Sequence, residues 1–205
     1  MSTLLIIGAG GHGKVVAEAA ELLGRWNTIE FADDKFPELS QIGKWPVVSN
    51  TNPDNLTKKG FKDFVVAIGN NNTRLQVQHR LAGSSLVPVS IIHPSAVISS
   101  SVKIGLGSVV FANAVINADA DIGEACIINT SASVDHDCVL GHGVHISPGV
   151  HLAGEVTVGC GSWLGIGSSV IQCINIGDNV IVGAGAAVVS DIPNGVTAKG
   201  VPARF

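Results

Sequence analysis

Every sixth residue from Ile92 to Val188 is aliphatic, and the series never fails. It runs Ile92, Ile98, Ile104, Val110, Ile116, Ile122, Ile128, Val134, Leu140, Ile146, Leu152, Val158, Leu164, Val170, Ile176, Val182 and Val188. Four residues after each stands a small or β-branched one, Ala96, Val102, Ser108, Ala114, Ala120, Cys126, Ala132 and Cys138 among them. A repeat this strict predicts a solenoid, whose coils bury a core only by stacking on one another.

A second period of eighteen is superposed on the first. Gly105, Gly123, Gly141, Gly159 and Gly177 form one ladder at that spacing, a corner where only glycine fits. The last residues of the same hexads form another: Val109, Ile127, His145, Trp163 and Ile181. These point outward in a stacked coil, yet four of the five are large and apolar. An exposed apolar stripe predicts a partner surface, here a face that packs on copies of the same chain. The corresponding ladder Lys103, Asp121, Val139, Thr157 and Asn175 suits solvent.

Residues 1–88 follow a different grammar, that of a small parallel α/β unit. "TLLIIGAG" predicts a strand entering a glycine turn, "GKVVAEAAELLG" a helix with a closing glycine, and "NTIEFADD" a second strand ending in acids. "FKDFVVAIGN" and "NTRLQVQHRLAG" repeat the strand-then-helix order, with Asn or Thr at the helix cap. The turn "GAGGHG", Gly8 to Gly13, is a GxGxxG in its required context, so backbone amides and a helix N-terminus face a pyrophosphate. Asp33 and Asp34 end the next strand, where an acid accepts ribose hydroxyls. The stretch also approaches a Walker A motif, but Val15 stands where Ser or Thr must hold magnesium, which rejects that reading. The expected domains are therefore 1–88, Rossmann-like, and 89–205, the solenoid.

Composition narrows the setting. Charged residues are 14% of the 205, and mean hydropathy is +0.41. No apolar run has the length of a membrane span, and the start lacks a basic leader region, so the expectation is a cytoplasmic protein with its apolar excess hidden in a core or between subunits. A net charge of −4 gives no general attraction to nucleic acid. The four cysteines show no CxxC pairing, and Cys126 and Cys138 fill the inward small-residue slot, so neither disulfides nor a metal site is expected.

The stretch Ser131 to Val150 concentrates His136, His142 and His145. Asp135, His136 and Asp137 occupy the second to fourth places of a hexad, which turn a corner and project outward. His142, and His151 just beyond, read as solvent-facing decoration.

The hexads, the glycine-rich first unit and the His-acid pair midway together resemble the hexapeptide-repeat sugar-nucleotide acetyltransferases. The likeness spans essentially the whole chain. That family forms a left-handed parallel β-helix with three hexads per coil, assembles as a homotrimer, and acetylates the amine of UDP-4-amino-4,6-dideoxy sugars or of GDP-perosamine. The resemblance implies that His136 is the general base and that Asp137, in the place usually held by Glu, raises its basicity; Asp135 is the alternative carboxylate. It implies that His145, Ile166, Gly183 and Ala184 contact acetyl-CoA, the co-substrate. "KGVPAR", Lys199 to Arg204, resembles the family's terminal segment near the CoA nucleotide. Gly10, Gly11, His12, Asp33 and Asp34, and more weakly Gly69 and Asn70, match contacts to the nucleotide sugar. Three other functions fit parts of the chain. A sialic-type O-acetyltransferase would use the same histidine on a hydroxyl. A nicotinamide oxidoreductase would explain the glycine turn alone, and a non-catalytic assembly protein would need only the apolar stripe.

Overall fold

A computed structural model describes residues 2–205, which divide into two compact units between Pro94 and Ser95. In chain order the first unit comprises β1 (Thr3–Ile7), α1 (Gly11–Leu23), β2 (Thr28–Ala32), β3 (Gln41–Ile42), β4 (Trp45–Ser49), α2 (Pro53–Lys58), β5 (Asp63–Val66), α3 (Asn71–Ala82) and β6 (Val87–Pro88). Its sheet has the order β3-β4-β2-β1-β5-β6, parallel except for β3. Leu4 to Ile7 are wholly buried, as befits a parallel strand covered on both faces. Helix α1 turns Val16, Ala17, Ala19 and Ala20 inward and stops at Gly24, whose left-handed backbone (φ 66°) lets its N–H reach the carbonyls of Ala20 and Glu21. The chain leaves β1 toward β2 on one side and returns to β5 on the other. The carboxyl ends of β1 and β5 thus flank a topological switch point, where open parallel sheets hold ligands. The unit extends past Pro88 because Ile91, wholly buried, and Ile92 pack against α1.

In the second unit, two-residue strands pair in parallel with strands eighteen residues on. Val109, Ile127, His145, Trp163 and Ile181 stack on one face. Val115, Ser133, His151, Ser169 and Ala187 stack on the second, and Lys103, Asp121, Val139, Thr157 and Asn175 on the third. The result is a left-handed parallel β-helix of triangular section. Corner residues such as Asn113, Asp119, Ala125, Ser131 and Asp137 carry positive φ. Every member of the hexad series from Val110 to Val188 is buried. Each such side chain contributes about 1.5–3 kcal/mol on leaving water, most of it offset by the entropy of ordering the chain. Inward polar groups are used to join coils: Ser108 Oγ donates to the Gly123 carbonyl (2.9 Å) and accepts the Cys126 N–H (2.9 Å). Ser162 does the same with Gly177 and Val180.

Two expectations are refined by the packing. The glycine ladder owes nothing to positive φ: a Cβ on Gly105 would lie 2.5 Å from the Gly123 carbonyl carbon and the Glu124 nitrogen, so the next coil's backbone excludes it. The apolar stripe is open only in its later part. Val109 and Ile127 are 1% and 0% exposed within the single chain, whereas Trp163 and Ile181 are 46% and 44% exposed. Strand register says which way a side chain points and nothing of what lies over it. Among the described residues no helix is long and apolar enough to cross a membrane.

Replacing Gly105 by Ala should lower stability by about 1–3 kcal/mol, the usual cost of overpacking. A thermal melt should move down by several degrees; an unchanged midpoint would mean that adjacent coils can separate at that corner at no cost.

Candidate active site

At the switch point each glycine of the first turn has its own physical reason. Gly8 has φ 105°, and a Cβ there would meet the Ala67 carbonyl at 3.0 Å. A Cβ on Gly13 would strike the Gly8 carbonyl and the Phe31 ring, so this glycine lets α1 close onto the sheet. Gly10 and Gly11 have open space where a side chain would go, which leaves the backbone approachable by a ligand. Gly10 is the N-cap of α1 and offers no side chain to its amides, so the positive end of the helix dipole is not covered by a cap.

The acids beside this turn are already engaged. Asp33 Oδ2 accepts the Ala9 N–H (2.8 Å), which ties the turn to β2. Asp34 Oδ1 accepts from the Thr51 hydroxyl (2.6 Å) and N–H (3.0 Å), and these bonds hold its carboxyl below the usual carboxylate range. Asn70 Oδ1 caps α3 through the Thr73 N–H (2.9 Å). Arg74, 1% exposed, donates to the carbonyls of Ile68 (3.0 Å) and Gly69 (3.1 Å) and so fixes the loop after β5. Burial, with Arg74 second, pushes the His12 imidazole down to about 4, so it is neutral at physiological pH. Sequence reasoning missed Arg74, because an arginine within "NNTRLQ" looks like any solvent-facing cation on a polar helix.

In the β-helix, Asp135, His136 and Asp137 turn the corner after the strand Ser133–Val134. Asp137 has φ 58°. Its Oδ2 lies 2.8 Å from His136 Nδ1. The shorter acid therefore reaches the ring. A carboxylate only accepts, so Nδ1 carries the proton and the neutral ring leaves Nε2 as its basic nitrogen. The Asp137 bond raises the affinity of the ring for a proton above that of an ordinary histidine, with Asp135, Asp137 and Glu155 adding attraction through their charges. Asp135 does a different job. Its Oδ1 accepts the His136 N–H (2.8 Å) and the Asn117 amide (2.7 Å), and the Asn117 bond is what chiefly lowers its pKa. One acid thus holds the ring and the other the backbone.

The four residues expected along acetyl-CoA line a single groove of about 480 Å³: His145, Ile166, Gly183 and Ala184, joined by Trp163 and Ile181. Its walls are almost wholly apolar. Trp163 stacks on His145 with 6.0 Å between ring centres and 15° between planes, and its Nε1–H donates to Ser147 Oγ (2.7 Å). Asn129 Oδ1 accepts the Thr130 N–H, which turns the amide nitrogen to within 3.3 Å of His145 Nε2. His136 stands at the following corner of the coil. The two histidines read as decoration both have partners: His142 Nδ1 accepts the Glu124 N–H (3.1 Å), and His151 Nδ1 lies 2.8 Å from Ser133 Oγ. Among the described residues no group of three or more His, Cys, Asp or Glu side chains is arranged to hold a metal ion.

Known proteins share this architecture. Residues 3–81 match the family described as the PglD N-terminal domain. The chain is 42% identical over 113 residues to the UDP-N-acetylbacillosamine N-acetyltransferase of Bacillus subtilis, a match spanning 54% of this chain and 51% of that relative. Among solved structures, it superposes on the acetyltransferase domain of PglB from Neisseria gonorrhoeae in complex with acetyl coenzyme A, with a TM-score of 0.94, 44% identity and 98% of both chains covered. It likewise matches PerB from Caulobacter crescentus in complex with CoA and GDP-perosamine, with a TM-score of 0.93, 42% identity and coverage of 100% of this chain and 97% of that one.

Because the Asp137 bond is the chief cause of the raised His136 pKa, Asp137→Asn should bring it down toward the ordinary value of 6.5. Titration of the His136 ring followed by NMR reads this directly. A larger fall in Asp135→Asn than in Asp137→Asn would assign the support to the wrong acid.

Proposed function

The chain belongs to the hexapeptide-repeat acetyltransferases that act on nucleotide-linked amino sugars, and on that premise we propose that it transfers the acetyl group of acetyl-CoA to the amine of such a sugar. The observation that carries the reading is the pairing of a base with two separate binding places. His136 is held by Asp137 at an exposed corner, an apolar groove lies along the face opposite that corner and the corner that ends this face, and a glycine turn with an uncapped helix stands in the other unit. An oxidoreductase would leave the groove and His136 without a task, and an assembly protein would leave the glycine turn without one.

In this reading the first unit takes the nucleotide diphosphate at the Gly10–Gly11 backbone and the N-terminus of α1. The groove takes the pantetheine arm of acetyl-CoA against Ile166, Gly183 and Ala184, with His145 and Trp163 as its aromatic wall. The sugar amine attacks the thioester carbonyl, and its surplus proton passes to His136 Nε2. Asp137 offsets the charge that develops on the ring. The C–S bond then breaks, CoA leaves as a thiol after taking up a proton, and the amine has become an amide. The sugar is of the UDP-4-amino-4,6-dideoxy kind, made for a bacterial surface glycan in the cytoplasm. What supports a UDP-linked sugar is the relative named as a UDP-N-acetylbacillosamine N-acetyltransferase, while PerB, in complex with GDP-perosamine, makes a GDP-linked amino sugar the alternative.

The open part of the stripe, Trp163 and Ile181, supports a homotrimer. Both residues also line the groove, so the face that meets another copy and the wall that meets the cofactor are continuous.

Turnover with acetyl-CoA and a panel of amino sugar nucleotides, followed by release of free thiol, tests the reaction. His136→Ala should lower kcat by roughly 10²–10⁴-fold with acetyl-CoA affinity and subunit mass retained. The imidazolium cannot accept a proton, so wild-type activity should fall on acidification with a midpoint above the ordinary histidine value, its pKa being raised. The substrate amine protonates as well, so only the limb that vanishes in His136→Ala belongs to the histidine. Near-wild-type turnover by that variant at saturating substrates would place the base elsewhere.

Trp163→Glu would set an unpaired charge into the subunit interface and should dissociate the assembly in light scattering. Wild-type protein that is monomeric at micromolar concentration would defeat the trimer.

A further inference from the structure

Gly154 stands eighteen residues after His136, at the same place in the next coil. A Cβ there would lie 2.6 Å from both Cε1 and Nε2 of His136 and 3.2 Å from Cδ2, and these are its three nearest neighbours. The nearest obstruction is the imidazole, not backbone. This differs from Gly105, Gly123 and Gly159, whose missing side chains make room for the backbone of the next coil. It also differs from the glycines with positive φ, since Gly154 is not among them. Nor does the corner itself demand glycine: Ala118 and Gln172 hold the same place one coil before His136 and one coil after Gly154. Among those neighbours, glycine stands only where the imidazole must lie across it.

We propose that Gly154 is a positioning residue, whose lack of a side chain lets the His136 ring lie over its Cα in the one orientation that meets Asp137 through Nδ1 and presents Nε2. Two features then fix the ring. Asp137 holds the ring through Nδ1 at 2.8 Å, and Gly154 leaves open the space beside Cε1 and Nε2 that a side chain would fill, displacing the ring. The inference rests on the reading of His136 as the base, but the ring's orientation can be measured apart from activity.

Gly154→Ala keeps the backbone N–H and adds only the methyl group. It should displace the imidazole, weaken the Asp137 bond, and lower the NMR titration midpoint of His136 toward that of an ordinary histidine. The groups facing that ring, Asp135, Asp137 and Glu155, are unaltered in the variant, so a shift reports the ring's position. Turnover should fall at least tenfold with the KM for acetyl-CoA within twofold. In the His136→Ala background the same change should cost nothing further. An unchanged titration and kcat in Gly154→Ala would overturn the proposal, as would an additive loss in the double variant. Should Gly154→Ala fail to fold, His136→Ala/Gly154→Ala must fold with the thermal midpoint of His136→Ala, because removing the ring removes the obstruction; a double variant equally unstable would also overturn it. If His136→Ala alone retains turnover, the base assignment falls, while the titration shift still decides the role of Gly154.

Discussion

The parallel backbone pairing of each coil with the next is the interaction on which the rest of the second unit depends. Strands of two residues are too short to be stable alone, and they hold because each interior one is bonded to strands eighteen residues before and after it. That spacing is set from both sides. The buried aliphatic series supplies the apolar area, and the backbone over Gly105, Gly123 and Gly159 comes so close that a side chain there has no room. Ser108 and Ser162 add hydrogen bonds from within the core, each joining a coil to its successor. The last coil departs from the rule. Ile181 pairs with Thr197, sixteen residues on, and the chain closes with Lys199 paired to Arg204.

A scaffold this regular turns chemistry into a matter of which residue stands at which corner. Asp137 adopts a left-handed backbone because the corner requires one, and from there its short carboxylate reaches the preceding imidazole. The usual expectation that an exposed ion pair is weak applies to its stability. It does not diminish the directional effect, which fixes the tautomer and leaves Nε2 to accept a proton. The groove is the counterpart on the face opposite that corner, where the outward residues are large and apolar and the glycine and alanine of "VGAGA" keep the next corner low. The first unit works by a different device. There a parallel sheet leaves a switch point, and the glycine turn exposes backbone amides instead of side chains.

Much of this was legible in the chain itself. The period of six gave the solenoid, the period of eighteen gave the coil, and GxGxxG between a strand and a helix gave the uncapped glycine turn, because each is a local or strictly periodic signal. The residues His145, Ile166, Gly183 and Ala184 came from the family resemblance; the period of eighteen places only Ile166 and Ala184 on one ladder, and the folded groove brings all four together. Asp137 against Asp135 was not legible. Both flank the histidine, and choosing between them needs the φ of the corner and the bond from Asn117 in the preceding coil.

Sequence alone determined the repeat, the direction of each side chain and the two-part organisation, because backbone geometry and the pairing period are encoded residue by residue. Tertiary structure decided what covers those side chains. Val109 and Ile127 belong to the outward ladder and are nonetheless buried, while Trp163 and Ile181 in the same ladder stay open. It decided that Arg74 is a buried brace of the loop after β5, that His12 is neutral, and that Gly154 underlies the His136 ring. Burial, proton affinity and steric exclusion are properties of everything within a few ångströms, and those neighbours are brought together only when the chain has folded.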